Sequence, residues 1–179
     1  IHKGDQFKKH LKKSYTVRPN DPSDYEKLMS MLTDDQINVT DVWHLWGLSE
    51  RNQNQSQDDW VVQTQQASYY SLLYIGKALK KYFFDQKVSI TVLSSLTYSI
   101  GGEPVLYPEK AVHLGPAMVI SQETLNLRYR ILDVDRPQEN GVQEDRLIHQ
   151  ISEELDSEHR QLLTVYRRNK RYVKKYTKG

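Results

Sequence analysis

The stretch that decides the fold is AVHLGPAMVISQETLNLRYRILDVD, residues 111–135. Its first half has apolar residues at helical spacing, among them Val112, Met118 and Val119, and we expect Pro116 to interrupt this helix. Its second half, RYRILDVD, passes from polar to continuously apolar, which is typical of a strand entering the middle of a sheet. A helix that leads directly into a buried strand is half of a βαβ crossover.

The rest of the chain repeats this alternation. The sequence predicts strands at residues 14–18, 39–46, 87–93, 128–135, 161–166 and 171–176, and helices at residues 22–32, 60–84, 108–123 and 143–155. Asp21 or Ser23 is the expected N-cap of the first helix, and Asp58 or Asp59 that of the second. This order predicts an α/β fold with a mostly parallel sheet, helices on both faces and a C-terminal hairpin. We expect one domain over residues 1–179, with residues 1–13 as a linker or weak helix.

Composition limits the classes of function. The 179 residues contain no Cys, which excludes disulfides, thiolate metal sites and Cys nucleophiles. No apolar run approaches the length of a membrane span, and we expect a cytoplasmic location.

Charge is unevenly distributed along the chain. Residues 1–18 hold six Lys or Arg and one Asp, and residues 167–179 hold seven Lys or Arg and no acidic residue, around an acidic middle. Because aromatic residues are not interleaved with these charges, we do not expect nucleic acid to be the main partner.

Glycines suited to a nucleotide phosphate are missing. None of the eight Gly falls in GxGxxG, TGxxxGxG or GxxxxGK[ST] spacing. Gly47 leads into a long polar loop, and the only Gly pair, Gly101–Gly102, is followed by Glu103 and Pro104, a poor lining for phosphate. The sequence therefore predicts no nucleotide site within this chain.

One spacing imitates a catalytic motif. Tyr166 and Lys170 match the Tyr-xxx-Lys spacing of short-chain dehydrogenases, in which a helix places both side chains on one face. Here Asn169 lies between two apolar-alternating strands, so we expect the pair to span a hairpin turn and to carry no catalysis. No GxSxG nucleophile elbow is present in the sequence.

Histidines and paired aspartates are the remaining candidates. The six His form no HxH, HExxH or i, i+4 pair, and His44, between two Trp in a buried strand, is predicted to be a core histidine. His113 and Glu123 share a helix but not a face that would converge on a substrate. Asp133 and Asp135 alternate at a strand end and point the same way, which suits either a metal or acid–base pair or the cap of a following loop.

Three segments, in this order and spacing, resemble the structural subdomain of the ketoreductase in modular polyketide synthases. VWHLWGL (residues 42–48) resembles an apolar strand leading to a His-Leu-Trp segment. Residues 111–123 with ILDVD (131–135) resemble a helix ending in Val-Ile-x-x-Glu before a Leu-Ile-Asp-Leu-Asp strand. YRRNKRY (166–172) resembles the Tyr-Arg…Arg-Tyr-Val hairpin before the catalytic half. Met118, where family members commonly have Arg, and Pro116 depart from the pattern.

The resemblance implies a truncated Rossmann-like fold that has lost its cofactor site. Such a subdomain is non-catalytic and supports the NADPH-binding half, whose Ser, Tyr, Asn and glycines would lie beyond Gly179. It implies no catalytic, cofactor-binding or metal-binding residue in this chain. The implied partners are the ketoreductase catalytic subdomain and neighbouring synthase domains, with neither nucleic acid nor membrane among them.

Three other hypotheses stay open at this point. The subdomain could belong to a module without an active ketoreductase, beside a dehydratase or methyltransferase domain. A stand-alone α/β enzyme would place Asp133, Asp135 or His44 in an open pocket at the strand ends. An interaction module would use the Tyr-rich helix, residues 69–84, as a partner face, with Tyr74, Tyr82 and Phe83 exposed.

Overall fold

A computed structural model of the chain describes residues 1–11, 13–102, 105–135, 142–156 and 161–174. The elements, in chain order, are β1 (His2–Lys3), β2 (Lys8–Lys9), β3 (Tyr15–Val17), α1 (Pro22–Asp34), β4 (Asp41–Gly47), α2 (Gln57–Thr64), a π-helix (Gln65–Tyr70), α3 (Ser71–Tyr82), β5 (Val88–Ser95), a 3₁₀ helix (Pro108–His113), α4 (Leu114–Glu123), β6 (Leu127–Val134), α5 (Val142–Asp156), β7 (Leu163–Arg167) and β8 (Lys170–Val173). The predicted loop at residues 136–141 and the end of the last predicted strand, residues 175–176, lie outside the described residues.

The main sheet has five strands in the order β4-β5-β6-β7-β8. The first three pairings are parallel and the last is antiparallel. Arg168 and Asn169 form the β7–β8 turn with φ angles of 50° and 63°, as a two-residue hairpin turn of type I′ requires. The predicted α/β class, the mostly parallel sheet and the C-terminal hairpin are confirmed.

Helices cover both faces of this sheet. Ile90 and Val92 of β5 pack with buried residues of α1, α3 and α4. Leu93, the next residue, points to the opposite face because side chains alternate along a strand. There it packs with Leu132 of β6 and Ile151 of α5. The prediction of helices on both faces is therefore confirmed.

The N-terminal segment differs from the prediction. Residues 1–13 contain β1 and β2, which flank β3 in a separate three-stranded sheet, so the expectation of a linker or weak helix is wrong. Tyr15 and Val17 of β3 point into the main core, while Thr16 pairs with His2 and Lys8. Long-range pairing with β3 supplies the backbone partners that short lysine-rich segments cannot provide for themselves. That residues 1–179 form a single domain stays a prediction.

The long helix predicted at residues 60–84 begins earlier and is interrupted. Ser56, not Asp58 or Asp59, is the N-cap, and its Oγ accepts a hydrogen bond from the Asp59 N–H at 3.0 Å. Both aspartates lie in the first turn, where their charges face the positive end of the helix dipole. A six-residue π-helix then separates α2 from α3.

Pro116 does not interrupt its helix, contrary to the prediction. The α-helical part begins at Leu114, so Pro116 is its third residue. An N–H in the first turn has no partner within the helix, and proline therefore loses nothing there. The turns before it, Pro108–His113, are 3₁₀.

Candidate functional site

Asp133, near the carboxyl end of β6, is the centre of a buried hydrogen-bond network. Its side chain is fully buried and accepts bonds from Ser94 Oγ at 2.8 Å and from the N–H groups of Thr97 and Tyr98 at 3.1 Å each. The Ser94 hydroxyl comes from the end of β5, and the two N–H groups come from the turn after it. One carboxylate thus holds the β5 loop against β6.

Arg167, at the end of β7, neutralises this carboxylate. Its Nη2 donates to Asp133 Oδ2 and, at 2.8 Å, to the Tyr98 carbonyl. Its Nη1 donates to the carbonyls of Tyr166 and Asp133. The pair is almost entirely buried, and both groups make several further hydrogen bonds, which offset the cost of burying the two charges.

Asp135 lies on the same side, as its alternation with Asp133 predicts. It accepts a hydrogen bond from the Arg168 N–H at 2.6 Å and lies 3.7 Å from Arg167 Nε. The two aspartates therefore both face the start of the β7–β8 turn. This arrangement agrees with the loop-capping alternative and leaves Asp133 enclosed rather than in the open pocket that an enzyme would need.

A second buried layer lies next to this network. Lys110 Nζ is 3.1 Å from Ser95 Oγ and 4.2 Å from the centre of the Tyr107 ring, and burial lowers the pKa of Lys110 to about 8. His113 Nε2 is 3.1 Å from Tyr98 Oη, and burial lowers the pKa of His113 to about 4. Because Ser95 is the last residue of β5 and Tyr98 lies in the turn after it, this layer also ties the end of β5 to the 3₁₀ helix.

Side chains nearly fill the space after β4, at the carboxyl edge of the main sheet. In Rossmann sheets the ligand lies beyond the carboxyl ends of the strands, against a helix N-terminus. Here the space after β4, bounded by Trp46, Ser49, Trp60 and Lys110, has a volume of about 10 Å³, room for about one water molecule. The Trp60 indole N–H also donates to Glu109, which closes this space further.

The glycines at these strand ends have structural roles. A Cβ on Gly47 would lie 2.4 Å from the Leu93 carbonyl oxygen, so Gly47 permits close approach of β4 to β5. Gly101 and Gly102 have φ angles of 81° and 92° and allow the turn after β5. The close approach at the end of β4 is thus to the backbone of the neighbouring strand.

His44 is buried, as predicted for a core histidine, and forms a pair with Ser71. Its Nε2 lies 2.8 Å from Ser71 Oγ, and that hydroxyl donates to the Ala67 carbonyl at 2.6 Å. Since the single hydroxyl proton points to Ala67, Nε2 carries the proton and donates to Ser71. The imidazole therefore does not act as a base on this serine, and the pair joins β4 to the start of α3.

The other sequence candidates do not converge. Tyr166 and Lys170 lie on the two strands of the hairpin, and Tyr166 Oη donates to Glu154 of α5 at 2.7 Å. Phe83, expected to be exposed by the interaction-module hypothesis, is buried because the chain turns inward at the end of α3. Tyr74 and Tyr82 are half-buried.

Lys110, Arg167, Thr97 and Tyr98 were not singled out by the sequence. The sequence feature that could have indicated them is SSLT, residues 94–97, a mostly polar run at the end of β5 beside an Asp in the next strand.

Within the described ranges, no group of three or more His, Asp or Glu side chains could hold a metal ion. No helix in those ranges is long and apolar enough to cross a membrane.

Stability should fall on acidification because His44 and His113 stay neutral in the folded protein. Burial lowers the pKa of His44 to about 3 and that of His113 to about 4, both from 6.5. As the pH falls from 6.5 toward 4, the unfolded chain binds protons that the folded chain excludes, and the free energy of unfolding decreases. We expect His113→Gln to flatten this slope by up to about 1.4 kcal/mol per pH unit.

The measurement is urea unfolding at several pH values between 4.5 and 7.5. His149→Gln is the matched control, because the His149 side chain is exposed on α5. Equal slopes for His113→Gln and the unmodified chain would show that His113 takes up a proton while folded.

A family of known sequences accounts for most of this chain. The model of the family described as beta-ketoacyl synthase-like, N-terminal, matches residues 1–154. The chain belongs to this family. No curated protein matches it. Together with the fold, the match confirms the resemblance to a ketoreductase structural subdomain that the sequence indicated.

Solved structures share the fold of this family member. The adenylation, ketoreductase, and pseudo Asub multidomain structure of a keto acid-selecting NRPS module matches 96% of the chain with a TM-score of 0.81 at 23% identity. An N-terminal ketoreductase from the macrolactin assembly line matches 98% with a TM-score of 0.66 at 18% identity. The chain spans only 14% and 34% of those two proteins.

A dehydrogenase of the same fold is matched over more of its own length. An alcohol dehydrogenase from the archaeon Thermococcus sibiricus, complexed with 5-hydroxy-NADP, matches 89% of the chain and is itself covered to 76%, with a TM-score of 0.64 at 13% identity. At these identities the likenesses show the Rossmann-like fold.

Proposed function

We propose that this chain is a non-catalytic structural subdomain that supports the NADPH-dependent ketoreductase half of a polyketide synthase module. The observation that supports the proposal is the nearly filled space after β4, at the carboxyl edge of a Rossmann-like sheet in a member of this family, where Trp60 and Lys110 lie. On this proposal NADPH and the catalytic residues belong to the neighbouring half. The cytoplasmic location expected from the sequence is part of the same proposal.

An uncharged helical face offers a surface for that neighbour. Residues 60–76 and 114–122 contain no Asp, Glu, Lys or Arg. The two segments are adjacent, since a Cβ on Gly115 would lie 3.4 Å from the Tyr69 ring. The exposed apolar side chains on these segments are Val62, Tyr69, Tyr70, Met118 and Val119. Interface cores are depleted of charge and enriched in aromatic residues and Met, so this composition fits a contact with another domain.

The size of this helical face favours a neighbour on the same polypeptide. As helices the two segments are about 26 Å and 14 Å long, and at a width of about 10 Å each they present roughly 400 Å². A stable interface between separate proteins needs about 800 Å² per partner. A tether raises the effective concentration to the millimolar range, and a contact of this size then suffices.

The test compares the isolated ketoreductase half with the same half joined to this chain. We expect the joined protein to melt at a higher temperature and to retain reductase activity that the isolated half loses, because the helical face is covered only in the joined protein. Titration of this chain alone with NADPH should give no saturable binding. Saturable binding, or equal stability and activity of the isolated half, would contradict the proposal.

A charge placed on the helical face should weaken the support. We expect Met118→Glu to lower the melting temperature of the joined protein toward that of the isolated half, because the carboxylate would be buried without a partner. Ile148→Glu is the control, since Ile148 is also apolar and exposed but lies on α5. Equal effects of the two substitutions in calorimetry would place the contact elsewhere.

A further inference from the structure

The open edge of the main sheet is β4. This strand is paired with β5 alone among the described strands, so its other side presents unpaired backbone N–H and C=O groups. Proteins usually protect such an edge with Lys, Pro or a covering element, because it is a template for another strand. Beside this edge lies a groove of about 280 Å³, lined by β4, by α1 and by Ile1.

The side chains of this edge are apolar and exposed. Trp43 is 52% exposed and Leu45 is 47% exposed, although both belong to a parallel sheet whose other strands are largely buried. Parallel sheets are normally covered on both faces. The strand contains neither Lys nor Pro, and its one charged residue is Asp41.

Two opposite charges mark the ends of the strand. Asp41, at its start, is exposed and makes no ion pair in the part of the chain that the structure describes. Lys3 lies at the other end, with Nζ 3.2 Å from Ser49 Oγ and 5.9 Å from the centre of the Trp46 ring. Within the same described part Lys3 has no acidic partner, and its pKa is lowered by burial.

We propose that β4 of one copy pairs with β4 of a second copy, antiparallel and about a two-fold axis at His44. In this register Asp41 lies opposite Gly47 of the other copy, close to that copy's Lys3. Trp43 lies opposite Leu45, and each contact occurs twice. An isologous interface of this kind is self-complementary and closes at two copies.

Charge selects this arrangement over a parallel one. Parallel pairing in register would set the two Asp41 carboxylates side by side, which destabilises a strand pair. Antiparallel pairing separates them and brings each toward a lysine. A seven-residue strand is about 23 Å long, so the contact is small and the dimer weak, with a Kd on the order of 10–100 µM.

The test is sedimentation equilibrium of the chain between about 5 µM and 1 mM. We expect a reversible monomer–dimer equilibrium, with the tryptophan emission shifting to shorter wavelength as the exposed Trp43 is covered in the dimer. Asp41→Lys and Lys3→Glu should each raise Kd at least tenfold, because each places like charges together. The double variant should recover to within about threefold of the original Kd, while Lys8→Glu, on the small sheet, should leave Kd unchanged.

Three results would overturn the proposal: a monomer throughout this range, a double variant as weak as the single ones, or a dimer that Met118→Glu abolishes and Asp41→Lys leaves intact. Circular dichroism melts of each variant separate lost association from lost folding. If Asp41→Lys does not fold, Trp43→Lys tests the same edge, and we expect it also to prevent pairing. The test does not depend on the proposed support of a ketoreductase, because it uses this chain alone.

Discussion

Replacing Asp133 by alanine is expected to lower the free energy of unfolding by about 3–5 kcal/mol, the cost typical of breaking a buried ion pair. Arg167 would keep its charge in the interior without a counter-charge, and Ser94 would lose its acceptor. The N–H groups of Thr97 and Tyr98 would also be left without the carboxylate that now accepts from them. Because an ordinary domain is stable by about 5–15 kcal/mol, this loss would be a large fraction of the total.

Chemical denaturation of Asp133→Ala, Asp133→Asn and Asp135→Ala checks this expectation. Asp133→Asn keeps part of the hydrogen bonding and should be intermediate. Asp135→Ala is the control, because that carboxylate is partly exposed and should cost about 1 kcal/mol or less. Replacing Arg167 by Met in the Asp133→Ala background should restore part of the stability, since it removes the unpaired charge. A loss below about 1 kcal/mol for Asp133→Ala would contradict the importance of the network.

Replacing Gly47 by alanine should have the second largest effect. The added Cβ would lie 2.4 Å from the Leu93 carbonyl oxygen and 3.3 Å from Ser94 Cα, both backbone atoms of the neighbouring strand. A rotamer change cannot relieve this overlap, so β4 and β5 must separate. We expect a loss of about 3 kcal/mol in the free energy of unfolding, at the upper end for overpacking.

The matched control is Gly115→Ala, the same substitution at a glycine with room for it. Its Cβ would meet only the Tyr69 ring, at 3.4 Å, and alanine favours the helix, so stability should stay equal or rise by up to about 1 kcal/mol. Urea denaturation of the two variants gives the comparison. Equal free energies of unfolding for the two variants would show that β4 and β5 can move apart without loss of stability.

Local patterns account for the predicted elements that the structure contains. The alternation of short apolar runs with amphipathic stretches predicts the strand–helix order, because periods of 2 and 3.6 residues report which side of each element is buried. Asn169, between two alternating runs, predicts the hairpin that separates Tyr166 from Lys170. A glycine-rich phosphate-binding motif is also a local pattern, so its absence can be read from the sequence directly.

The boundaries of the helices, and the interruptions within them, are harder to predict from the sequence. Ser56 and the two aspartates after it are all residue types that cap helices. Which of them is the N-cap depends on where the helix begins in the folded chain. The π-helix ends just before Ser71, whose hydroxyl contacts His44 on another element, and helical periodicity alone predicts an uninterrupted helix.

The sequence by itself determined the α/β order, the hairpin and the absence of a glycine-rich phosphate loop, because each depends on residues close together in the chain. Only the tertiary structure decided that β1 and β2 pair with β3, and that Asp133 meets Arg167 across 34 positions. It also decided that Trp60 and Lys110 line the nearly filled space after β4. The physical reason is that burial, ion pairing and the filling of a cavity depend on side chains from distant segments, whose positions no local pattern specifies.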